Sequence, residues 1–266
     1  MDLGLAGKTY AILGGTRGMG RETVRLLAEE GANVAVISRN ANSCQAEFDQ
    51  LARRCSVEIM TVCADASQTG SMSVAIGSVI QRFGGLRGTA VTNHWMGQAR
   101  SFEAIDDDEW EQYFQNSLMA AVRTARAVLP YLELSGGGSL VLTTAYSSRA
   151  PKAYIPAYAA FKASLNNLVK SLAKSYGPAG VRVNAVAPGA IRTGRYDDRL
   201  AELRRERADI TKHEAERIML KRMGMQVALN RIGDPAEVAE LIVFLLSERA
   251  GYTTGLVANV DGGTDF

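Results

Sequence analysis

Histidine and cysteine are scarce in this chain. Two histidines and no clustered acids leave no set of side chains spaced to hold a metal, so none is expected. The cysteines, Cys44, Cys55 and Cys63, number 3 and lack zinc-ligand spacing. They read as free thiols of a reducing compartment rather than as a disulfide framework. No apolar run reaches the length of a membrane span. Met1 to Lys8 lacks the basic start and apolar stretch of a signal peptide. A soluble, cytoplasmic protein without a membrane partner is expected. Surplus charge is also missing: the net charge is +2, which gives no reason to expect a nucleic-acid partner. The arginines of 199–222 are interleaved with acids, as on a solvated helix face.

What is present is apolar material in a regular rhythm. Hydrophobic residues make up 47% and charged residues 22%, enough to bury a sizeable core. Short apolar runs at 9–13, 33–38, 57–63, 88–92, 139–144, 181–187 and 256–260 read as buried parallel strands. Between them, helical spacing recurs over 22–30, 43–54, 71–83, 157–176 and 235–247, with a long helix pair over 107–134. Gly177-Pro178 is expected to stop the helix over 157–176 by removing a donor and fixing the backbone. Strand and helix alternate throughout, which predicts a doubly wound α/β fold with helices on both faces of a parallel sheet. No linker, repeat or low-complexity tract divides it, so residues 1–266 read as a single domain. The segment 195–230 interrupts the alternation. It is charged and helical in composition and carries Met219, Met223 and Met225. Two readings stand: a substrate-covering insertion, or a surface hairpin with methionines as core filler.

Two short patterns carry chemistry. Gly14-x-x-x-Gly18-x-Gly20 follows a predicted strand and opens a predicted helix. Glycines there allow a tight turn and close approach of backbone to a pyrophosphate, and the helix N-terminus presents free N–H groups. Downstream, Tyr158 and Lys162 stand four residues apart on one helix face. An ammonium beside a phenol, together with a bound cationic nicotinamide, would favour the phenolate and lower a pKa that starts near 10. The second strand ends Ile37-Ser38-Arg39-Asn40 without the acid that would bind ribose hydroxyls. Arg39, with Arg17 in the glycine turn, suits a 2′-phosphate, so NADP is expected over NAD. The competing reading makes both ordinary surface arginines.

The glycine pattern, the Tyr-x-x-x-Lys pair and Asn184-Ala185-Val186-Ala187-Pro188-Gly189 together resemble the short-chain dehydrogenase/reductase family, and within it 3-oxoacyl-carrier-protein reductase-like members. The resemblance covers nearly the whole chain. It implies a reductase or dehydrogenase of a small-molecule carbonyl or alcohol, with Tyr158 as acid/base and Lys162 and Asn116 in support. It further implies dinucleotide contacts from Gly14, Thr16, Arg17, Gly18, Met19 and Gly20, and from Ser38, Arg39, Asn40, Asp65 and Ala66. Asn93, His94, Tyr158, Lys162, Pro188, Gly189, Ile191 and Thr193 complete the set. Asp261-Gly262-Gly263 matches a C-terminal turn. A homotetramer or homodimer joined through the helices of Asn116 and Tyr158 follows from the same resemblance, with Leu118, Ala121, Val122, Leu165, Leu168 and Leu172 compatible with contact or with core.

Two departures stand out. The family carries a serine thirteen residues before its tyrosine, and that count leads to Ala145. Losing one such donor costs roughly 100- to 1000-fold in rate. Thr144, Ser147 or His94 are the candidate replacements, Thr144 being the one assigned to the catalytic set. After the fourth strand the family's small residues are replaced by His94-Trp95, which either reshape the pocket or fill space left by small neighbours such as Ala145. A reductase of an imine or conjugated double bond, or a silent dinucleotide binder, are the alternative functions these departures motivate.

Overall fold

All residues of β1, Thr9–Leu13, are buried, as a run that is apolar on both faces requires in a parallel sheet. The computed structural model describes residues 2–93, 95–192, 194–207 and 209–264. Six further strands follow: β2 (Asn33–Ser38), β3 (Ile59–Cys63), β4 (Gly88–Val91), β5 (Gly138–Thr143), β6 (Val181–Pro188) and β7 (Val257–Val260). They form a 7-stranded sheet in the order β3-β2-β1-β4-β5-β6-β7, with every neighbouring pair parallel. The helices are α1 (Gly18–Glu29), α2 (Gln45–Cys55), α3 (Ser71–Phe83), α4 (Asp107–Tyr113), α5 (Ala120–Leu134), α6 (Pro156–Tyr176), α7 (Gly194–Glu206), α8 (Lys212–Arg222) and α9 (Pro235–Leu246).

Side chains alternate across the sheet. Ile12, Val36 and Val141 face α1 and α9, meeting Val24, Leu27, Val238 and Ile242. Leu13, Ile37 and Leu142 face the other way, toward Ile76, Val128, Leu132, Leu165 and Val169 of α3, α5 and α6. Each aliphatic side chain buried this way stabilises the fold by ~1.5–3 kcal/mol. The two halves of the sheet part at β1 and β4. The crevice beyond their C-terminal ends is where such a sheet offers room for a ligand.

The differences from the predicted boundaries have local causes. β3 starts at Ile59 rather than at 57, because Ser56 takes a left-handed cap at φ 56° and Val57 N–H closes back onto Ala52 O at 3.1 Å. α6 ends at Tyr176, as the Gly177-Pro178 pair predicts, although Gly177 itself stays right-handed at φ −55°. A 3-10 turn, Gly177–Ala179, continues it to Gly180 at φ 76°. Pro178 opens that turn, where its missing donor costs nothing. α1 begins at Gly18, four residues before the apolar spacing predicts. The helix pair of 107–134 is one continuous path: α4, a π-helical turn Phe114–Met119, then α5. Asp106 caps it by accepting from Glu109 N–H at 2.8 Å.

Segment 195–230 holds α7 and α8. Thr211 and Glu214 form a reciprocal capping box at the start of α8. Leu200, Leu203, Ala215, Met219, Leu220 and Met225 make a small core of their own, closed against Tyr146, Ala190, Val227 and Ile232. Met219 and Met225 are thus core filler. Met223 is half-buried and does something else, described below.

Candidate active site

The tips of β1 and β4 and the start of α1 are pressed together. A Cβ on Gly14 would lie 2.7 Å from Asn93 N, and one on Gly20 would run into Gly14 O and Thr92 Oγ1. Gly14 also has φ 84°, a conformation that L side chains rarely adopt. Arg17 is extended at φ −155° and ψ 163° and leads directly into Gly18, Met19 and Gly20. The first amides of α1 have no partner within the helix and are left for a ligand. Thr16 lies between, its carbonyl facing Cys44 Sγ at 3.7 Å.

The end of β2 adds a polar rim. Ser38 Oγ is buried without a hydrogen-bond partner. Arg17, Arg39 and Asn40 are exposed, and neither guanidinium pairs with a described residue. Nearby arginines are committed instead: Arg21 to Glu47, Arg25 to Glu22, Arg54 to Glu29. An orphaned hydroxyl, two uncommitted cations and a glycine cradle fit the phosphates of a dinucleotide carrying a 2′-phosphate. At the end of β3, Asp65 Oδ1 accepts from Ser67 N–H at 2.9 Å and Ser67 Oγ at 2.8 Å. Ala66 is buried beside it. At the end of β6, Gly189 has no room for a side chain, since Asp261 Cα would stand 2.7 Å from its Cβ. That contact brings the Asp261 turn against Pro188 and Gly189. Ile191 bridges to Gly233. His94 and Thr193 lie outside the described residues.

Tyr158 and Lys162 share one face of α6 at the ends of β5 and β6. Both are buried. Lys162 Nζ donates to Thr143 O at 2.8 Å and stands 5.8 Å over the Tyr158 ring. Burial lowers the ammonium's pKa to about 8. The phenol goes the other way. Burial raises it well above its usual value, and the neighbouring phenols Tyr146, Tyr113 and Tyr196 add to the rise. The expected lowering joined Lys162 with a bound cationic nicotinamide; in the chain by itself, desolvation wins.

Asn116 sits in the π-helical turn. Its Nδ2 donates to Gln112 O at 2.9 Å, and its own carbonyl accepts from Asn93 Nδ2 at 3.1 Å. The turn is thereby tied to the tip of β4. Such turns frequently occur at functional sites.

Ala145 is buried in one cluster with Tyr158, Tyr113 and Ile155, with Trp95 packed against it. The Trp95 ring lies 4.4 Å from the Tyr113 ring at 71°. Trp95 therefore fits the space-filling reading. Thr144, the residue expected to supply the missing donor, commits its hydroxyl to the backbone in this structure. It continues the β5 ladder, and its Oγ1 is spent on Val186 O at 3.3 Å. Ser148 Oγ donates to Ala145 O at 2.6 Å. Ser147 Oγ is buried without a partner.

The fold also assembles what the sequence pattern did not single out. Tyr113 from α4 packs in one cluster with Tyr158, and Tyr146 from the turn after β5 and Tyr196 from α7 join it in raising the phenol's pKa. Tyr196 hydroxyl donates to Met223 Sδ at 3.5 Å, and Tyr154 hydroxyl to Met223 O at 3.0 Å. Only Tyr146 had a sequence signal, as the neighbour of Ala145.

The family model described as enoyl-(acyl carrier protein) reductase matches residues 14–265. A short-chain type dehydrogenase/reductase of Sinorhizobium fredii is 31% identical over 264 residues, covering 97% of this chain and 98% of the relative. The structure of L-sorbose reductase from Gluconobacter frateurii, complexed with NADPH and L-sorbose, superposes with a TM-score of 0.89 at 29% identity, covering 99% and 98% of the two chains. An NADPH-bound short-chain oxidoreductase from Pseudomonas aeruginosa, described as containing an atypical catalytic center, superposes with a TM-score of 0.85 at 27% identity, covering 96% of each chain.

Proposed function

The chain belongs to the short-chain dehydrogenase/reductase family, and on that premise we propose that Tyr158 is the acid/base group of an NADP-dependent oxidoreductase. The enzyme moves a hydride between nicotinamide and a carbonyl or alcohol carbon, as its membership and the NADPH-bound neighbours support. The observation that carries the proposal is the buried pair Tyr158 and Lys162, held by Thr143 at the C-terminal edge of the sheet. When bound, the dinucleotide supplies the carbon that gives or takes the hydride.

The chain's own residues do the remaining work. Gly14, Thr16, Gly18, Met19 and Gly20 cradle the pyrophosphate, and Arg17, Ser38, Arg39 and Asn40 hold the 2′-phosphate. Asp65 and Ala66 border the adenine. Asn93 and His94 with Lys162 hold ribose, and Pro188, Gly189, Ile191 and Thr193 face the carboxamide. In reduction, the carbonyl π pair moves to oxygen and Tyr158 Oη gives that oxygen its proton. In oxidation Tyr158 takes it back. Asn116 supports the relay that refills the phenol. The helices α7 and α8 cover the substrate and select it, and the reading is supported by the closure of their core against Tyr146.

Tyr158→Phe keeps the ring and removes the proton. NADPH consumption with carbonyl substrates is expected to fall by roughly 100- to 10,000-fold, and full retained activity would sink the assignment. Ala145 favours one second reading: an imine or conjugated double bond needs a different donor arrangement and is tested in the same assay with imines and enones. Assembly as a homodimer or homotetramer through α5 and α6 is supported by Leu118, Leu168 and Leu172, which are only half-buried in the single chain. A cytoplasmic location is supported by the three free thiols. No helix among the described residues is long and apolar enough to cross a membrane.

A further inference from the structure

We infer that Tyr154 is a positioning residue that clasps α7 and α8 shut, so that ligands enter and leave the site only as the clasp opens; the inference rests on the reading above that this segment covers the site. α8 ends in a left-handed turn at Gly224, φ 60°. Gly224 N–H donates to Lys221 O at 3.1 Å and Met225 N–H to Leu220 O at 3.0 Å, which closes the helix end on itself. Neither bond uses the carbonyls of Met223 and Gly224, which need partners from elsewhere. The loop ahead of α6 supplies them. Tyr154 hydroxyl donates to Met223 O at 3.0 Å, and Lys152 Nζ to Gly224 O at 3.3 Å. A cation is also favoured at a helix C-terminus.

The loop side of the clasp is fixed. Tyr154 O accepts from Arg100 N–H at 2.9 Å, and Arg100 pairs with Glu109 of α4 at 3.2 Å. The next residue, Ile155, is buried in one cluster with Tyr158 and Ala145. From the other direction, Tyr196 hydroxyl of α7 donates to Met223 Sδ at 3.5 Å. Met223 is thus held by its carbonyl from the loop before Tyr158 and by its sulfur from α7. The chain leading into α7 is fastened to the body of the protein as far as Arg192, whose N–H donates to Gly233 O at 2.8 Å and whose guanidinium pairs with Asp234. A Cβ on Gly194 or Gly224 would meet nothing within 4 Å, so both ends of the α7–α8 unit have room to turn. Tyr158 is 7% exposed and Lys162 3%, so a ligand reaches them only after part of their cover gives way. The strands beneath are locked in the parallel sheet. The α7–α8 unit, with a small core of its own, is the part that yields.

α7 begins directly after the segment read above as facing the carboxamide, so NADPH itself probes the gate. Its binding is followed by stopped-flow fluorescence, without any carbonyl substrate, in wild type, Tyr154→Phe and, as a control at an exposed tyrosine, Tyr252→Phe. Removing a contact made equally in the empty and the loaded closed states changes how fast the site opens and leaves the binding equilibrium alone. Tyr154→Phe is therefore expected to raise the association and dissociation rates together, by roughly 2- to 10-fold for one hydrogen bond, with Kd and Tm held. Amide exchange at Gly224 and Met225 should quicken by the same factor while the amides of β1 keep their rates. Tyr252→Phe is expected to match wild type. Rates in Tyr154→Phe that stay within about twofold of wild type, a Kd that moves instead of the rates, or unchanged exchange at Gly224 and Met225 overturns the inference. Failure of the wild type to bind NADPH overturns the cofactor reading, and this inference with it. The reductase reading is judged separately, by Tyr158→Phe in the turnover assay.

Discussion

Lys162 is the residue whose environment and sequence position disagree most. An exposed lysine titrates near 10.4, whereas burial brings this one to about 8. Between those two values the unfolded chain binds the proton and the folded chain does not. Stability of the cofactor-free protein therefore rises with pH across that window. Tyr158 works against it above about pH 10, the phenol's unperturbed value, because the folded chain keeps a proton that the unfolded chain releases. Lys162→Met is expected to flatten the rise between about pH 8 and 10, by up to ~3 kcal/mol at ~1.4 kcal/mol per unit, in urea unfolding at stepped pH. A rise that survives the substitution would assign it to another group. At the opposite end of the site, Arg39→Glu replaces an uncommitted cation with an acid. NADPH affinity should fall roughly 10- to 100-fold, one charge-assisted contact's worth, with NADH affinity unchanged or improved. Fluorescence titration of both cofactors decides it, and an equal loss for the two would make Arg39 a surface residue.

At the scale of elements, the glycine turn is a packing device as much as a binding device. β1, β4 and α1 meet where Gly14 and Gly20 have no Cβ. Gly14→Ala forces a side chain onto the backbone of Asn93 at a positive φ. The left-handed conformation alone costs ~1–2 kcal/mol, and the clash adds to it. A Tm lowered by at least roughly 4 °C, since each kcal/mol moves a domain of this size by ~2–4 °C, should accompany loss of NADPH binding. An unchanged Tm with lost binding would show the turn to be shaped only for the ligand. The π-helical turn Phe114–Met119 is the element that sequence spacing could not reveal. Helical periodicity runs through α4 and α5 without a break, and one inserted residue in the ladder leaves no compositional trace. Yet that turn presents the Asn116 carbonyl to Asn93.

For the whole molecule, the six positions compatible with either core or subunit contact divide cleanly. Ala121 and Leu165 are buried within the chain, and Leu118, Val122, Leu168 and Leu172 are not. Half-exposed leucines on neighbouring helices ask for a cover. Leu168→Glu/Leu172→Glu is expected to shift sedimentation from a dimer or tetramer toward monomer and to lower activity by loosening α6 under Tyr158. A wild type that sediments as a monomer at micromolar concentration would remove the assembly.

The sequence by itself determined the parallel sheet and most of its boundaries, because strands buried on both faces must be continuously apolar and helices on its faces must be periodic. It also determined the glycine turn and the Tyr158–Lys162 pair, since each depends on residues close together in the chain. Of its alternatives for 195–230, the core-filler reading fits Met219 and Met225, which pack in one cluster with Tyr146, while the substrate-covering role stays a proposal. Only the tertiary structure decided which phenols act on Tyr158. Tyr113, Tyr146 and Tyr196 come from three separate elements, and no spacing rule joins them. It also decided that Thr144 spends its hydroxyl on Val186, because the direction of a side chain at a strand end depends on the neighbouring strand. Finally, it set the protonation balance of the pair. Charge proximity can be guessed from a four-residue interval, but the cost of desolvation depends on everything packed around it.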